Sequence, residues 1–186
     1  AAALVGLNQL WNLAATDGEL RSIALSIGAD VPFMLKGGLA RVGGIGEQVT
    51  SLCPARGASL VAVQPCQPLS TREVFEAYDG LASIRHPDTA RAEASLLMRD
   101  YATLCATAGN VLAQASEQAR PQISEAVAAL QALGADFASM TGSGSAVFGA
   151  FASEAAAKAA YTVLKKHWRR CWLTETASEG VSITEN

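Results

Sequence analysis

Histidine is almost missing from this sequence: His86 and His167 stand alone among 186 residues. Cysteine is sparse too, and Cys53, Cys66, Cys105 and Cys171 are far apart with no CxxC pair. That spacing argues against a structural zinc site and against any other metal held by these side chains. It also argues against a disulfide framework, so a reducing cytoplasm is the expected compartment. Positive charge has no surplus: 14 Lys and Arg stand against 17 Asp and Glu, a net charge of −3. Nothing there favours a nucleic-acid partner. No apolar run reaches the roughly 18 residues that a membrane span needs. The basic opening of a secretory signal is absent as well, so no membrane is expected. What remains is 50% hydrophobic and 17% charged, a globular composition with ample core material.

Helical rhythm starts at once. In "AAALVGLNQLW", Leu4, Leu7, Leu10 and Trp11 share a face, and no N-cap precedes them. A helix without its start signal suggests that the natural chain begins earlier. "TDGE" reads as a capping box, with Thr16 at N-cap and Glu19 at N3, and the helix it opens ends at Gly28. Pro32 biases Val31 away from helix, so the segment around Asp30 is expected to be extended. "LARVGGIGEQVTSL" reads as a β-hairpin with a glycine-rich tip. A buried strand, "ASLVAVQP", and a helix capped by Ser70 or Thr71 follow. Residues 80–90 read as loop, and helices are expected over 91–107 and 109–118. Pro121 opens another helix that Gly134 closes. "DFASMT" and "SAVFGAF" are strands joined by "GSG"; Ser153 caps an alanine-rich helix, and "CWLTETA" is the last strand.

From residue 58 the order is strand, helices, two strands, helix, strand. That is an α+β pattern, a split βαβ ferredoxin-like sandwich of helices on an antiparallel sheet. Residues 1–57, two helices and a hairpin, do not complete a layer and read as part of a further domain.

Two constellations could carry chemistry. In "SIGADVPFML", Asp30 is the one charge in an apolar run. It is either a turn cap bonded to nearby backbone or a half-desolvated carboxylate serving as a base. An acid among apolar side chains must find a cation, find donors, or hold its proton more tightly, and each state is useful in catalysis. In "MTGSGSAVFGAF", Gly142, Ser143 and Gly144 lie between apolar strands. They form either a plain hairpin turn or a nest of outward N–H groups that binds anions. The loop leads into a strand, so neither the P-loop nor the dinucleotide template fits it.

Together, in the order "NQLW…LSIGADVPFMLKGGLARVGGIGEQV…QPLSTREVF…MTGSGSAVFGAF", these segments resemble the GHMP family of small-molecule kinases. The resemblance implies two domains: residues 1–57 as the C-terminal portion of an S5-like, ATP-binding domain, and 58–186 as a ferredoxin-like C-terminal domain. It implies ATP as co-substrate with Mg2+. The pairing of "GADVPF" with "GIGE" resembles the members that phosphorylate 4-diphosphocytidyl-2-C-methyl-D-erythritol, a step of non-mevalonate isoprenoid synthesis. By that resemblance Asp30 is the catalytic base, and Gly142, Ser143 and Gly144 close over the transferring phosphates. Phe75 of "QPLSTREVF" then stacks on cytosine, or is a core residue spaced with Val74 and Tyr78.

Family members carry a glycine- and serine-rich phosphate loop just before the helix that opens this sequence, together with an upstream lysine and residues that grip cytidine. None is present here, so the isolated chain is expected to have negligible kinase activity. Its first helix and hairpin are expected to expose apolar surface that the missing half, as a separate segment, or a second copy would cover. Two other readings stay open: a kinase of the same family acting on homoserine or mevalonate, and a non-catalytic ferredoxin-like module that senses a ligand or dimerises. "LKKHWRRCW" reads as cations at a helix C-terminus beside tryptophans, with nucleic-acid contact as the lesser alternative.

Overall fold

The computed structural model describes residues 1–52, 57–98 and 100–184; Cys53 lies outside them. The chain divides into two compact units, Ala1–Gly57 with Thr176–Asn186, and Ala58–Glu175. The tail from Thr176 groups with the first unit, whereas the expected C-terminal domain runs from residue 58 to 186.

The first unit opens with helix α1 (Ala2–Leu10), whose N-cap, Ala1, makes no side-chain bond. Helix α2 (Asp17–Ile27) starts at the expected capping box, with both halves made, and ends at Gly28. Helix α3 (Val31–Lys36) comes next and overturns the extended reading of this segment. Pro32 falls in the first turn, where the N–H that proline lacks has no helical partner anyway. The steric bias that proline places on Val31 is offset locally, because the Val31 N–H bonds the Gly28 carbonyl at 3.1 Å. Strands β1 (Ala40–Gly43) and β2 (Gln48–Ser51) pair antiparallel as the expected hairpin, Val42 opposite Val49.

Of this unit's described residues just Ala24, Pro32 and Gly46 are buried. Leu10 is 75% exposed, Trp11 62%, Ile27 63% and Ile45 75%, so apolar surface stands open as expected.

The second unit runs β3 (Ser59–Val63), α4 (Thr71–Asp79), α5 (Thr89–Met98), α6 (Tyr101–Thr107), α7 (Ala113–Ala119), α8 (Gln122–Ala132), β4 (Phe137–Met140), β5 (Val147–Phe151), α9 (Glu154–His167) and β6 (Cys171–Glu175). The sheet order β4-β5-β3-β6, antiparallel throughout, is the ferredoxin-like arrangement read from the sequence. Helix α8 packs over β4 and β5, and α9 over β3 and β6. Spacing explains the fit: Ile123, Ala126 and Leu130 on α8, and Ala157, Ala160 and Leu164 on α9, recur at helical period and are buried. They meet Val61, Val63, Val147 and Phe151, which alternate along their strands at period two. Each fully buried Leu or Ile contributes roughly 1.5–3 kcal/mol. Gly149 leaves room for α8, since a Cβ there would come 3.0 Å from Leu130 Cδ2.

The helix expected over 91–107 is two helices. Asp100 caps α6 by accepting from the Thr103 N–H at 3.0 Å and its hydroxyl at 2.6 Å. Helix α7 starts later than residue 109 because the Asn110 side chain takes the Leu112 N–H, at 2.9 Å. The basic segment after α9 is a helix end: Lys165, Lys166 and His167 fill the last turn, and Arg170 bonds Gln64 Oε1 at 2.9 Å. Cys66, Cys105 and Cys171 are free thiols.

Candidate functional site

Asp30 stands at the start of α3, in the first unit. It is exposed, which corrects the half-desolvated carboxylate expected among apolar neighbours. Helix formation turns the flanking apolar side chains along α3 and leaves the acid at its rim. The side chain makes no cap bond, so the turn-cap reading fails as well. Only its backbone is engaged, the Asp30 carbonyl accepting from Met34 N–H at 3.1 Å. An exposed carboxylate with no hydrogen-bond partner of its own among the described residues is open to a substrate hydroxyl or to a hydrated cation.

The "GIGE" turn lies against this segment. Gly46 is buried with φ at +111°, and a Cβ there would overlap the Ala29 carbonyl oxygen. The Glu47 carboxylate folds back over the turn, accepting from Ile45 N–H at 2.7 Å and from Gln48 Nε2 at 3.2 Å. Its own backbone N–H, then that of Ile45, hold its pKa below the usual glutamate range.

In the second unit β4 and β5 pair antiparallel, and the loop between them is a hairpin turn, the first of the two readings the sequence left open. Gly142 (φ +57°) and Gly144 (φ +87°) adopt the left-handed conformation that glycine permits. Two side chains pull its carbonyls inward. Asn110 Nδ2 donates to Met140 O at 3.1 Å and to Gly142 O at 2.8 Å, and Ser116 Oγ donates to Ser143 O at 3.1 Å. A peptide plane carries its C=O and the next N–H in opposite directions. Drawing in the Gly142 carbonyl therefore turns the Ser143 N–H outward. The Gly144 N–H is not free as a nest would need, because it closes a turn onto Thr141 O at 3.1 Å. Ser145 is buried, and its Oγ donates to Cys66 O at 2.7 Å.

Helix α4 brings two more groups to this loop. Thr71, its first residue, meets the Ser143 hydroxyl at 3.0 Å, and Phe75 sits one turn further along. Phe75 is 49% exposed and makes an edge-on contact with Tyr78, ring centroids 6.5 Å apart. The core reading of Phe75 is thereby set aside; Val74 is the core residue of this helix.

The sequence gives no sign of the roles of Asn110 and Ser116, and it offers Thr71 only as a possible helix cap, a place that Ser70 takes. Nothing local singles out an asparagine or serine whose partners lie about 30 residues away; the glycine of "GIGE" was the one available signal. A cleft of about 610 Å³ on the second unit is lined by Arg85, Asn110, Gln114, Glu117 and Ser139 among others, and by none of the expected site residues. Among the described residues no cluster of three or more His, Cys, Asp or Glu could hold a metal ion, and no helix is long and apolar enough to cross a membrane.

The chain is similar to known proteins along most of its length. Residues 91–170 match the family model "GHMP kinases C terminal". The chain is 36% identical over 165 residues to the 4-diphosphocytidyl-2-C-methyl-D-erythritol kinase of Brevibacillus brevis, covering 89% of this chain and 56% of that protein. It is 36% identical over 177 residues to the kinase of the same name from Symbiobacterium thermophilum, covering 95% and 63%. The chain thus spans about three fifths of the length of the curated relatives it matches. A crystal structure of 4-(cytidine 5'-diphospho)-2C-methyl-D-erythritol kinase shares the fold, with TM-score 0.72 and 24% identity over 96% of this chain and 62% of that one. So does a homoserine kinase from Cytophaga hutchinsonii, with TM-score 0.69 and 20% identity over 94% of this chain and 62% of that one. The chain belongs to the GHMP kinase family and carries its C-terminal domain.

Proposed function

We propose that the gene product carrying this segment is an ATP-dependent kinase of 4-diphosphocytidyl-2-C-methyl-D-erythritol, acting on the 2-hydroxyl in cytoplasmic, non-mevalonate isoprenoid synthesis. The observation that carries this reading is the 36% identity, over 89% of the chain, to a relative of that name. Residues 1–57 then contribute to the ATP-binding domain. Their exposed apolar faces suit a covering by further chain of the kind the longer relatives have, or by a second copy.

In this reading the substrate hydroxyl oxygen attacks the γ-phosphorus in line, the β–γ bridging P–O bond breaks, and ADP leaves. The hydroxyl proton passes to the Asp30 carboxylate. Phosphoryl transfer asks for alignment and charge neutralisation more than covalent help. An exposed carboxylate at a helix start supplies an acceptor within reach of a docked alcohol. Gly142, Ser143 and Gly144 lie close to the phosphates, where the outward Ser143 N–H offers a donor. Mg2+ arrives on the ATP phosphates as part of the co-substrate. Phe75 presents an aromatic face to cytosine, a contact that holds a base without reading its edges.

The test is steady-state kinetics of the gene product with Asp30→Asn. Loss of a base of this kind lowers kcat about 10²- to 10⁴-fold. An unchanged kcat refutes the role of Asp30. Turnover of homoserine or mevalonate in preference to the cytidyl alcohol refutes the substrate. A melting temperature that neither ATP nor a cytidine diphosphate ligand raises favours the non-catalytic module instead.

A further inference from the structure

Helix α3 carries Asp30 at its start and is six residues long. A helix that short does not hold itself in place. Beside its packing on α2 and the burial of Pro32, two contacts from distant parts of the first unit do so. At its start, buried Gly46 backs onto Ala29, so closely that a Cβ would lie 2.9 Å from Ala29 Cα as well as overlapping the carbonyl oxygen. The turn making this contact is tied by the Glu47 carboxylate and by Gly46 N–H to Gly43 O at 3.2 Å. At its end, the tail returns and Gly180 N–H donates to Lys36 O at 3.0 Å. A Cβ at Gly180 would overlap the Met34 carbonyl oxygen and lie 2.9 Å from Gly37 N.

We propose that Gly46 and Gly180 are positioning residues for Asp30, bracketing α3 at both ends so that packing of the helix, and no bond to the carboxylate, aims it. The proposal rests on Asp30 being the base. A carboxylate gripped by an arginine or by a backbone donor is aimed through its oxygens. Asp30 makes no side-chain cap bond, so the direction of its Cα–Cβ bond comes from where the helix sits. Proton acceptance requires hydrogen-bond reach of the substrate hydroxyl, and a misplacement of about 1 Å costs up to about 10²-fold in rate. Glycine is required at both contacts because any side chain displaces the helix by a bond length or more.

The experiment uses the gene product with Gly46→Ala, Gly180→Ala and Asp30→Asn, singly and with each glycine change added to Asp30→Asn. Gly134→Ala is the control, since Gly134 has φ +86° but a Cβ there meets open space. The readouts are kcat, KM for ATP, and amide hydrogen exchange over 31–37. Either glycine change is expected to lower kcat about ten- to a hundredfold and to speed exchange over 31–37, while KM for ATP stays within about threefold. On top of Asp30→Asn it adds less than about twofold, because the base it would misplace is gone.

An unchanged kcat overturns the proposal, as does the same loss repeated on Asp30→Asn or matched by Gly134→Ala. If Asp30→Asn turns over normally, the base reading falls and the aiming role with it, and exchange still shows separately whether the bracket exists. Should Gly46→Ala not fold, Glu47→Gln loosens the same turn without adding bulk and is held to the same outcomes.

Discussion

Replacing Asn110 by alanine removes the side chain that shapes the β4–β5 loop. Three hydrogen bonds go with it: Nδ2 to Met140 O, Nδ2 to Gly142 O, and Leu112 N–H to Oδ1. Their costs differ because their surroundings differ. Gly142 is exposed, so water takes over that carbonyl at little cost. The Met140 carbonyl keeps the Ser139 hydroxyl as a donor at 3.2 Å, so the group left unpaired is the N–H of Leu112, a residue 7% exposed. An unsatisfied buried polar group costs roughly 1–3 kcal/mol. At about 2–4 °C per kcal/mol for a chain of this size, the melting temperature falls by about 2–12 °C. Urea unfolding followed by circular dichroism reads the same loss as a lower midpoint at constant m-value. Asn110→Asp separates the contributions: it keeps the acceptor for Leu112 N–H but sets carboxylate oxygen against two carbonyls, so it is no more stable than the alanine variant. The apparent KM for ATP rises in both variants, because the proposed phosphate-side loop loses its brace. A midpoint shift worth less than about 0.5 kcal/mol, or wild-type stability for Asn110→Asp, refutes the reasoning.

Phe75→Ala removes a half-exposed ring, so it is expected to raise KM for the proposed cytidyl substrate while leaving stability within about 0.5 kcal/mol. Base stacking worth about 1–3 kcal/mol corresponds to about a five- to hundred-and-fifty-fold rise; an unchanged KM or a collapsed melting temperature counts against the stacking role. The Glu47 pKa is lowered by its own backbone N–H and that of Ile45. A lowered folded pKa means that the ionised side chain's stabilisation is present above the unfolded glutamate pKa and is lost as pH falls through the folded one. Amide exchange over 43–47 should therefore accelerate as pH drops below about 4 in the wild type, after correction for intrinsic exchange. Glu47→Gln should show no such step, and a step that persists in it refutes the linkage.

Much of the fold was legible because its determinants are local. Thr16 with Glu19, Ser153 before an alanine-rich run, and Pro121 with Gly134 each mark a helix end through bonds made within a few residues. Short apolar stretches such as "SAVFGAF" and "ASLVAV" read as strands, and their order with the helices between them implies the sheet. The misreadings are equally specific. Proline's effect on its predecessor is a bias, and at Val31 the bond to Gly28 and the packing of buried Pro32 override it. Helical periodicity runs through Asp100, so its cap of α6 is hidden in the sequence.

For the candidate site, residue pattern and family resemblance proposed the groups, and tertiary structure decided their states. Asp30, Phe75 and Gly142–Gly144 could be picked from residue type and pattern, since a lone acid, an aromatic in a matched segment and a paired glycine are visible in one dimension. Whether Asp30 is desolvated, whether the Phe75 face is open, and which way the loop's peptide planes turn depend on atoms far along the chain: Gly46 behind Ala29, Gly180 against Lys36, Asn110 and Ser116 beneath the loop. Hydrogen-bond caps and period act over about four residues, so sequence encodes them in short words. Solvent exposure and backbone aim are properties of whatever packs nearby, and that is settled only when the chain has closed on itself.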